Sequence, residues 1–247
     1  MVMIPFFRIN IYPSGCLLGG YKIIRLIGEG RFGICYLVNL DGKKYILKEI
    51  KPKAIKKSGN KIIFEQKILS SIDHSSIPRV IDTIKNDNIY AYILEYKRGK
   101  TIEDMIFGDN HIFTNAEIYK IGIKLIGIIK YLHERNIVHR DIRLPNVIID
   151  EEDVYLIDFG LARLVNNERY TPSVDFSYLG HLLIYLYYSS FKKTNKKSKP
   201  WYDELELTEK QMIFLKKLIG IQERYKSVID VEYDFHQISK NYLQNML

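Results

Sequence analysis

The chain is poor in the residues that would staple it together, anchor a metal or carry it through a membrane. Two cysteines in 247 residues, Cys16 and Cys35, have no metal-like spacing, and Cys35 lies inside a strand-like pattern. Neither a disulfide framework nor a zinc site is supported, and a reducing cytoplasm is the expected compartment. No apolar run is long enough to span a bilayer. The first twenty residues are apolar in patches but broken by Arg8, Asn10 and Pro13, which argues against both a signal-peptide core and a membrane span. Acidic residues are in deficit, 29 against 37 basic ones, giving a formal charge of +8. Such a chain attracts phosphates, acidic proteins, nucleic acid or anionic lipid by long-range steering. The densest basic run, FKKTNKKSKP at 191–200, has no aromatic interleaving of the RNA-binding kind. A solvated loop is therefore favoured over a nucleic-acid site at the Lys192–Lys199 cluster.

What is present is enough apolar material, 47% of the chain, for one large core or two small lobes. The stretch from His139 to Gly160, HRDIRLPNVIIDEEDVYLIDFG, places Asp141, Arg143, Asn146 and Asp158 around two short apolar runs, 147–149 and 154–157. These runs read as strands flanking an acidic turn. Gathered at strand ends, such a set fits phosphoryl transfer: an acid for a hydroxyl proton, oxygen ligands for magnesium and a cation for the moving phosphate.

Upstream, a strand pattern at 21–27 runs into Gly28-Glu29-Gly30-Arg31-Phe32-Gly33 and a second strand at 34–38. A glycine-rich turn between two strands lets backbone N–H groups approach phosphate oxygens without side-chain obstruction. The third strand, 43–50, carries Lys48. An inward lysine is costly unless paired, and the following helical pattern at 60–71 offers Glu65. Two further strands, 80–84 and 89–95, complete a five-stranded lobe. Beyond them the pattern turns helical. Thr101 with Asp104, Thr114 with Glu117, and Thr208 with Gln211 have capping-box or near-capping-box spacing. The longest helix, 115–135, delivers the chain to His139.

These motifs, in this order, resemble the eukaryotic-like (Hanks-type) protein kinases, especially small bacterial serine/threonine kinases, over about residues 21–240. The resemblance implies an α+β, two-lobed fold: a small antiparallel sheet lobe with one helix and a larger, mainly helical lobe. It divides the chain into an N-terminal extension (1–20), a first lobe (21–96) and a second lobe (97–247). It implies ATP and Mg2+ as ligands and an unidentified protein substrate. Asp141, Arg143, Lys48 and Glu65 become the catalytic set, with Asn146 and Asp158 as the metal ligands. The ATP contacts would be Gly28, Glu29, Gly30, Arg31, Phe32, Gly33, Cys35, Ile46, Lys48, Leu94, Glu95, Lys97 and Ile148, with Leu94 as gatekeeper and 95–97 as hinge. His133 and His139 are expected to pack rather than to react.

Three departures accompany the resemblance. Only residues 161–174 separate the magnesium loop from the next helix, which starts around Asp175, and no Ala-Pro-Glu is present. Arg140, which in many kinases meets an activating phosphate, has no evident partner. Arg224 resembles the arginine that usually pairs with the missing glutamate; a buried arginine left unpaired is costly, so another acid is expected, for which Glu168 or a nearby carboxylate is the candidate. The leading expectation is phosphoryl transfer from Mg-ATP to protein serine or threonine, including autophosphorylation. A small-molecule or accessory kinase-like ATPase and a pseudokinase scaffold are the alternatives.

Overall fold

The computed structural model describes residues 11–30, 33–51, 63–86, 89–166, 169–192, 197 and 199–244. It divides into two compact units, Met1–Lys97 and Arg98–Leu247.

The first unit is an antiparallel sheet with one helix. Its strands are β1 (Leu17–Leu18), β2 (Tyr21–Glu29), β3 (Gly33–Leu40), β4 (Lys43–Ile50), β5 (Val80–Lys85) and β6 (Tyr90–Glu95), in the order β1-β2-β3-β4-β6-β5. Helix α1 (Ile63–Ser70) lies between β4 and β5 in the chain. The sheet thus has six strands and not five. The extra one comes from the expected N-terminal extension, where Gly19 and Gly20 at φ +58° and +88° reverse the chain and Leu17 and Leu18 pair with Lys22 and Tyr21. Two residues are too few to show the alternation that marks a strand.

Register explains why β3 and β4 are buried so continuously. Cys35 pairs with Lys48, Leu37 with Ile46, Lys48 with Tyr92 and Ile46 with Leu94, so these side chains share one face. Ile34, Tyr36, Val38, Leu47 and Ile93 occupy the other, in a core that also takes Leu18, Tyr21 and Ile23. Tyr12 and Cys16 pack onto this second core, and the Tyr12 amide donates to the Tyr36 hydroxyl at 3.4 Å. The segment before β2 therefore covers apolar surface that a bare sheet would expose.

The second unit opens with β7 (Lys100–Thr101) and a short π-helical turn, Asp104–Gly108. Helix α2 (Asn115–His133) follows, and its capping box forms in full: the Thr114 side chain accepts from the Glu117 amide, and Glu117 accepts from the Thr114 amide. Ile118, Ile121, Leu125, Ile128, Ile129 and Leu132 make its buried stripe, with Ile126 beside them. Strands β8 (Ile137–Val138), β9 (Val147–Asp150), β10 (Asp153–Leu156) and β11 (Arg163–Leu164) form two small sheets, β10-β9-β7 and β11-β8. Helix α3 (Ser173–Tyr188) is the central helix. Helix α4 (Trp201–Glu204) is a single short turn, held by Glu204 accepting from the Tyr188 hydroxyl and the Lys199 amide, both at 2.8 Å. Helices α5 (Glu209–Ile219), with its Thr208–Gln211 capping box, and α6 (Val228–Gln244) complete the unit. No helix of the described residues is long and apolar enough to cross a membrane.

Gly122 on α2 faces Phe235 on α6, whose ring atoms lie 2.3 and 2.7 Å from where a Cβ would stand. Substituting Gly122→Val should overpack this contact and cost about 1–3 kcal/mol. The expected readout is a lower urea midpoint with an unchanged m-value.

Candidate active site

In the first unit, Lys48 projects from β4 and Glu65 from α1, and the two meet as a bidentate pair. Lys48 Nζ donates to the Glu65 carboxylate oxygens at 2.7 and 2.8 Å. The residues are only 8% and 5% exposed, so each charge depends on the other for its solvation. Removing one partner of such a pair typically costs about 3–5 kcal/mol, because the survivor is left charged and dry. The sequence reading passed over Tyr92. It lies opposite Lys48 in register, is fully buried, and its hydroxyl makes no hydrogen bond of normal geometry among the described residues. Burial, then the nearby Glu65 charge against the Lys48 charge, holds its phenol well above the usual value. A tyrosine among the aliphatic residues of β6, in register with a functional lysine, was the available signal.

The glycine turn is partly described. Gly30 N–H donates to the Gly33 carbonyl at 2.9 Å, and Lys51 ties the turn down by donating to the Gly30 carbonyl at 2.8 Å and to Glu29. Arg31 and Phe32 lie outside the described residues. The glycines differ in what demands them. A Cβ on Gly33 would stand 2.4 Å from the Glu49 carbonyl oxygen, so the approach of β4 alone requires glycine there. A Cβ on Gly28 would meet nothing, and one on Gly30 only the Gly33 carbonyl at 3.9 Å, among the described residues. Packing among the described residues therefore does not require glycine at those two positions.

The remaining adenine candidates are ordered by the strand register. Cys35, Ile46 and Leu94 share the face of Lys48, with Leu94 buried. At the expected hinge, Lys97 donates to Glu95 at 2.9 Å and to the Ser75 carbonyl at 2.8 Å, while the Arg79 side chain approaches the same carboxylate at 3.4 Å. Burial would raise the Glu95 carboxyl, but Lys97, then Arg79, outweigh it and hold it below its ordinary value. These hinge side chains pair with one another, consistent with backbone groups being the ones left for a ligand.

In the second unit, Asp141, Arg143, Asn146 and Asp158 come together around the β9–β10 hairpin. Asp141 is buried, and its carboxylate accepts from Arg143 Nε, from Arg143 Nη2 at 3.0 Å and from Asn146 Nδ2 at 2.9 Å. Arg143, expected over a moving phosphate, thus lays its fork on the carboxylate, and that hydrogen bond raises the guanidinium pKa further still. Asn146 Nδ2 also donates to the Asp141 carbonyl at 2.9 Å, and the Asn146 carbonyl accepts from the Ile157 amide. The residue just before Asp158 is thereby pinned to Asn146. Asp158 is exposed and adopts φ +59°, a left-handed conformation costly for a residue with a Cβ, while its carboxylate accepts from the Gly160 amide at 3.3 Å. Ile148 sits on β9, half buried, opposite Tyr155.

Behind this set stands Asp175, fully buried on α3. It accepts from the His139 amide at 2.9 Å, the Arg140 amide at 2.7 Å and the His133 ring at 2.9 Å. His139 is equally buried. Its Nδ1 accepts from the Asp141 amide at 3.3 Å, which leaves Nε2–H to donate to the Ile157 carbonyl at 3.2 Å, and its ring meets Phe159 edge-on. One neutral tautomer satisfies both bonds. Burial lowers its pKa, against the pull of Asp175, Asp158 and Asp141. Both histidines are anchors, as expected, although His133 holds a carboxylate rather than only packing.

Arg224 is not as expected. It is exposed and makes no ion pair among the described residues, its guanidinium lying across Gly220. An exposed guanidinium is solvated by water and does not carry the cost that a buried one would, so no replacement acid is required. Glu168 lies outside the described residues.

The depressed His139 pKa has a testable consequence. The unfolded chain binds a proton near pH 6.5 that the folded chain refuses, so this histidine's contribution to stability is complete above that value and falls as the pH drops below it. Urea midpoints measured between pH 7.5 and 5 should decline more steeply for the wild type than for His139→Phe, which should be the less stable of the two at pH 7.5.

Comparison with known proteins adds an independent line. Residues 21–180 match the family model described as the protein kinase domain. The chain is 36% identical over 226 residues to a Bacillus subtilis (strain 168) protein named "Probable serine/threonine-protein kinase YbdM", with 88% of each chain covered. It is 34% identical over 152 residues to the cGMP-dependent protein kinase of Plasmodium berghei (strain Anka), covering 60% of this chain and 18% of that one. It is 29% identical over 162 residues to the carbon catabolite-derepressing protein kinase of Saccharomyces cerevisiae, covering 64% and 25%. The chain therefore spans most of the bacterial relative and a quarter or less of the two eukaryotic ones. With a six-stranded sheet unit bearing a buried Lys–Glu pair and a helical unit bearing the Asp141, Asn146 and Asp158 loop, the chain belongs to the protein kinase domain family.

Proposed function

We propose that the chain is an ATP-dependent kinase that phosphorylates serine and threonine hydroxyls of proteins in the cytoplasm. The observation that carries this reading is the state of Asp141. It is a buried carboxylate aimed by three donors from Arg143 and Asn146 and backed by the Asp175 anchor. A rigid acceptor of this kind suits the proton of an incoming hydroxyl, whose oxygen forms the new bond to the γ-phosphorus while the bond to the leaving ADP oxygen breaks. The serine and threonine preference follows the names of the relatives, and the cytoplasmic setting is supported by two cysteines that are not joined in a disulfide.

The residues fit a magnesium–nucleotide complex in their chemistry. Asn146 commits its amide nitrogen to Asp141, so its side-chain oxygen is the atom left to meet a cation, and Asp158 brings an exposed carboxylate. One or two carboxylates completed by phosphates and water suit Mg2+, in keeping with no cluster of three or more His, Cys, Asp or Glu among the described residues that could hold a metal alone. Magnesium, when bound, supplies neutralisation of phosphate charge. Lys48, kept charged and extended by Glu65, contributes the phosphate-facing ammonium, and Gly28 and Gly30 leave the backbone open to phosphate oxygens.

Purified protein incubated with γ-labelled ATP, magnesium and a basic acceptor protein should place label on serine or threonine; label appearing only in inorganic phosphate or small molecules would contradict the reading. Asp141→Asn should lower transfer by about a thousandfold or more while nucleotide affinity stays within about threefold, because the residue acts on the nucleophile. Asp158→Ala should instead weaken magnesium-dependent nucleotide binding, read by calorimetry, by about tenfold or more.

A further inference from the structure

The segment 161–174 is short for an activation segment, and its described residues, 161–166 and 169–174, are tied to the catalytic loop. Asn166 and Tyr170 exchange backbone hydrogen bonds at 3.0 and 3.1 Å, and the Asn166 side chain accepts from the Arg169 and Tyr170 amides. The Val165 amide donates to the Asn136 carbonyl at 2.7 Å, and β11 pairs with β8 just ahead of His139. This turn sets the Tyr170 ring against Arg140. The guanidinium carbon lies 4.5 Å from the ring centroid, while Arg140 Nη1 donates to the Leu161 carbonyl at 3.0 Å. Arg169 approaches the same ring at 5.5 Å. Among the described residues no carboxylate pairs with the Arg140 guanidinium.

Arg140 needs fixing. Its φ of +67° is left-handed, a conformation a residue with a Cβ adopts only when its surroundings enforce it, and its neighbour is Asp141. Asp175 fixes its amide, but the side chain reaches the 161–174 segment and is fixed there. The geometry points to Tyr170 as a built-in substitute for an activating phosphate: its ring, stacked on Arg140, is a positioning group that holds the catalytic loop in its working shape without any modification. An aromatic face presents the negative potential of its quadrupole to a guanidinium, where a phosphate presents a formal charge, but the ring needs no prior kinase reaction to be there. The role rests on the protein-kinase reading above and adds that this kinase is active as synthesised.

The test compares wild type, Tyr170→Ala and Tyr170→Phe, each produced with a co-expressed phosphatase and verified as phosphate-free by mass spectrometry. Two readouts are taken: the initial rate of transfer to a basic acceptor protein, and the rate of tryptic cleavage within 161–174. Phosphate-free wild type should transfer from the first turnovers without a lag. Tyr170→Ala should lose about tenfold in kcat with KM for ATP within about twofold, and its segment should be cut faster. Tyr170→Phe keeps the ring face and should match wild type in both, which a role for the hydroxyl or for a phosphotyrosine would not allow. A lag abolished by preincubation with ATP, or a Tyr170→Ala variant equal to wild type in rate and cleavage, would overturn the proposal and leave the kinase reading intact. Wild type and both variants all without transfer, but with cleavage following the ring, would sustain the positioning role and sink the kinase reading.

Discussion

The buried carboxylate of Asp175 is the constraint on which the catalytic region depends. It is fully enclosed on a central helix, where an ion is tolerated only if its oxygens are satisfied, and besides the His133 ring the donors that satisfy it are two backbone amides of the very loop that carries the candidate base. Hydrogen bonds to a charged acceptor contribute about 1.5–3 kcal/mol each. That is enough to offset the order of 1–3 kcal/mol that a left-handed Arg140 costs. The loop is thus shaped by the helix behind it rather than by its own propensities, and Asp141 inherits its orientation from that shape.

The same logic recurs at each candidate functional group. Lys48 is fixed in place because Glu65 is buried with it; Asp141 is oriented because Asn146 and Arg143 reach it; the Glu95 carboxyl is held below its ordinary value because Lys97 and Arg79 outweigh its burial. In each case a costly polar group is held by polar partners, from helix α1 for Lys48 and from within the same loop for Asp141, so the geometry is constrained. His139 belongs to this pattern in its neutral form, satisfied at both nitrogens, and serves the loop as a spacer and not as a proton carrier.

Much of this was legible in the sequence, for physical reasons. Lys48 and Glu65 are readable as a pair because both fall where the kinase resemblance expects them, and an inward lysine is costly unless paired. Asp141, Asn146 and Asp158 are readable because their spacing around a hairpin brings oxygens together. What escaped was whatever depends on distant contact. The two-residue strand at Leu17–Leu18 has no periodic signal. Tyr170 meets Arg140 only through a turn whose closure no local pattern announces. Arg224 was taken as buried by resemblance, although nothing in the residues around it requires burial. Gly33 looked like a phosphate glycine, yet the neighbouring Glu49 carbonyl already forbids a side chain there.

The most direct measurement is residue-resolved amide hydrogen exchange of the unmodified protein at His139 and Arg140. Both amides lie in an irregular stretch between two short strands, where exchange is ordinarily fast. If Asp175 holds them as described, they should exchange as slowly as the core amides of the helix spanning Asn115–His133. Exchange at both sites as fast as in the exposed turn at Glu151 and Glu152 would contradict the account.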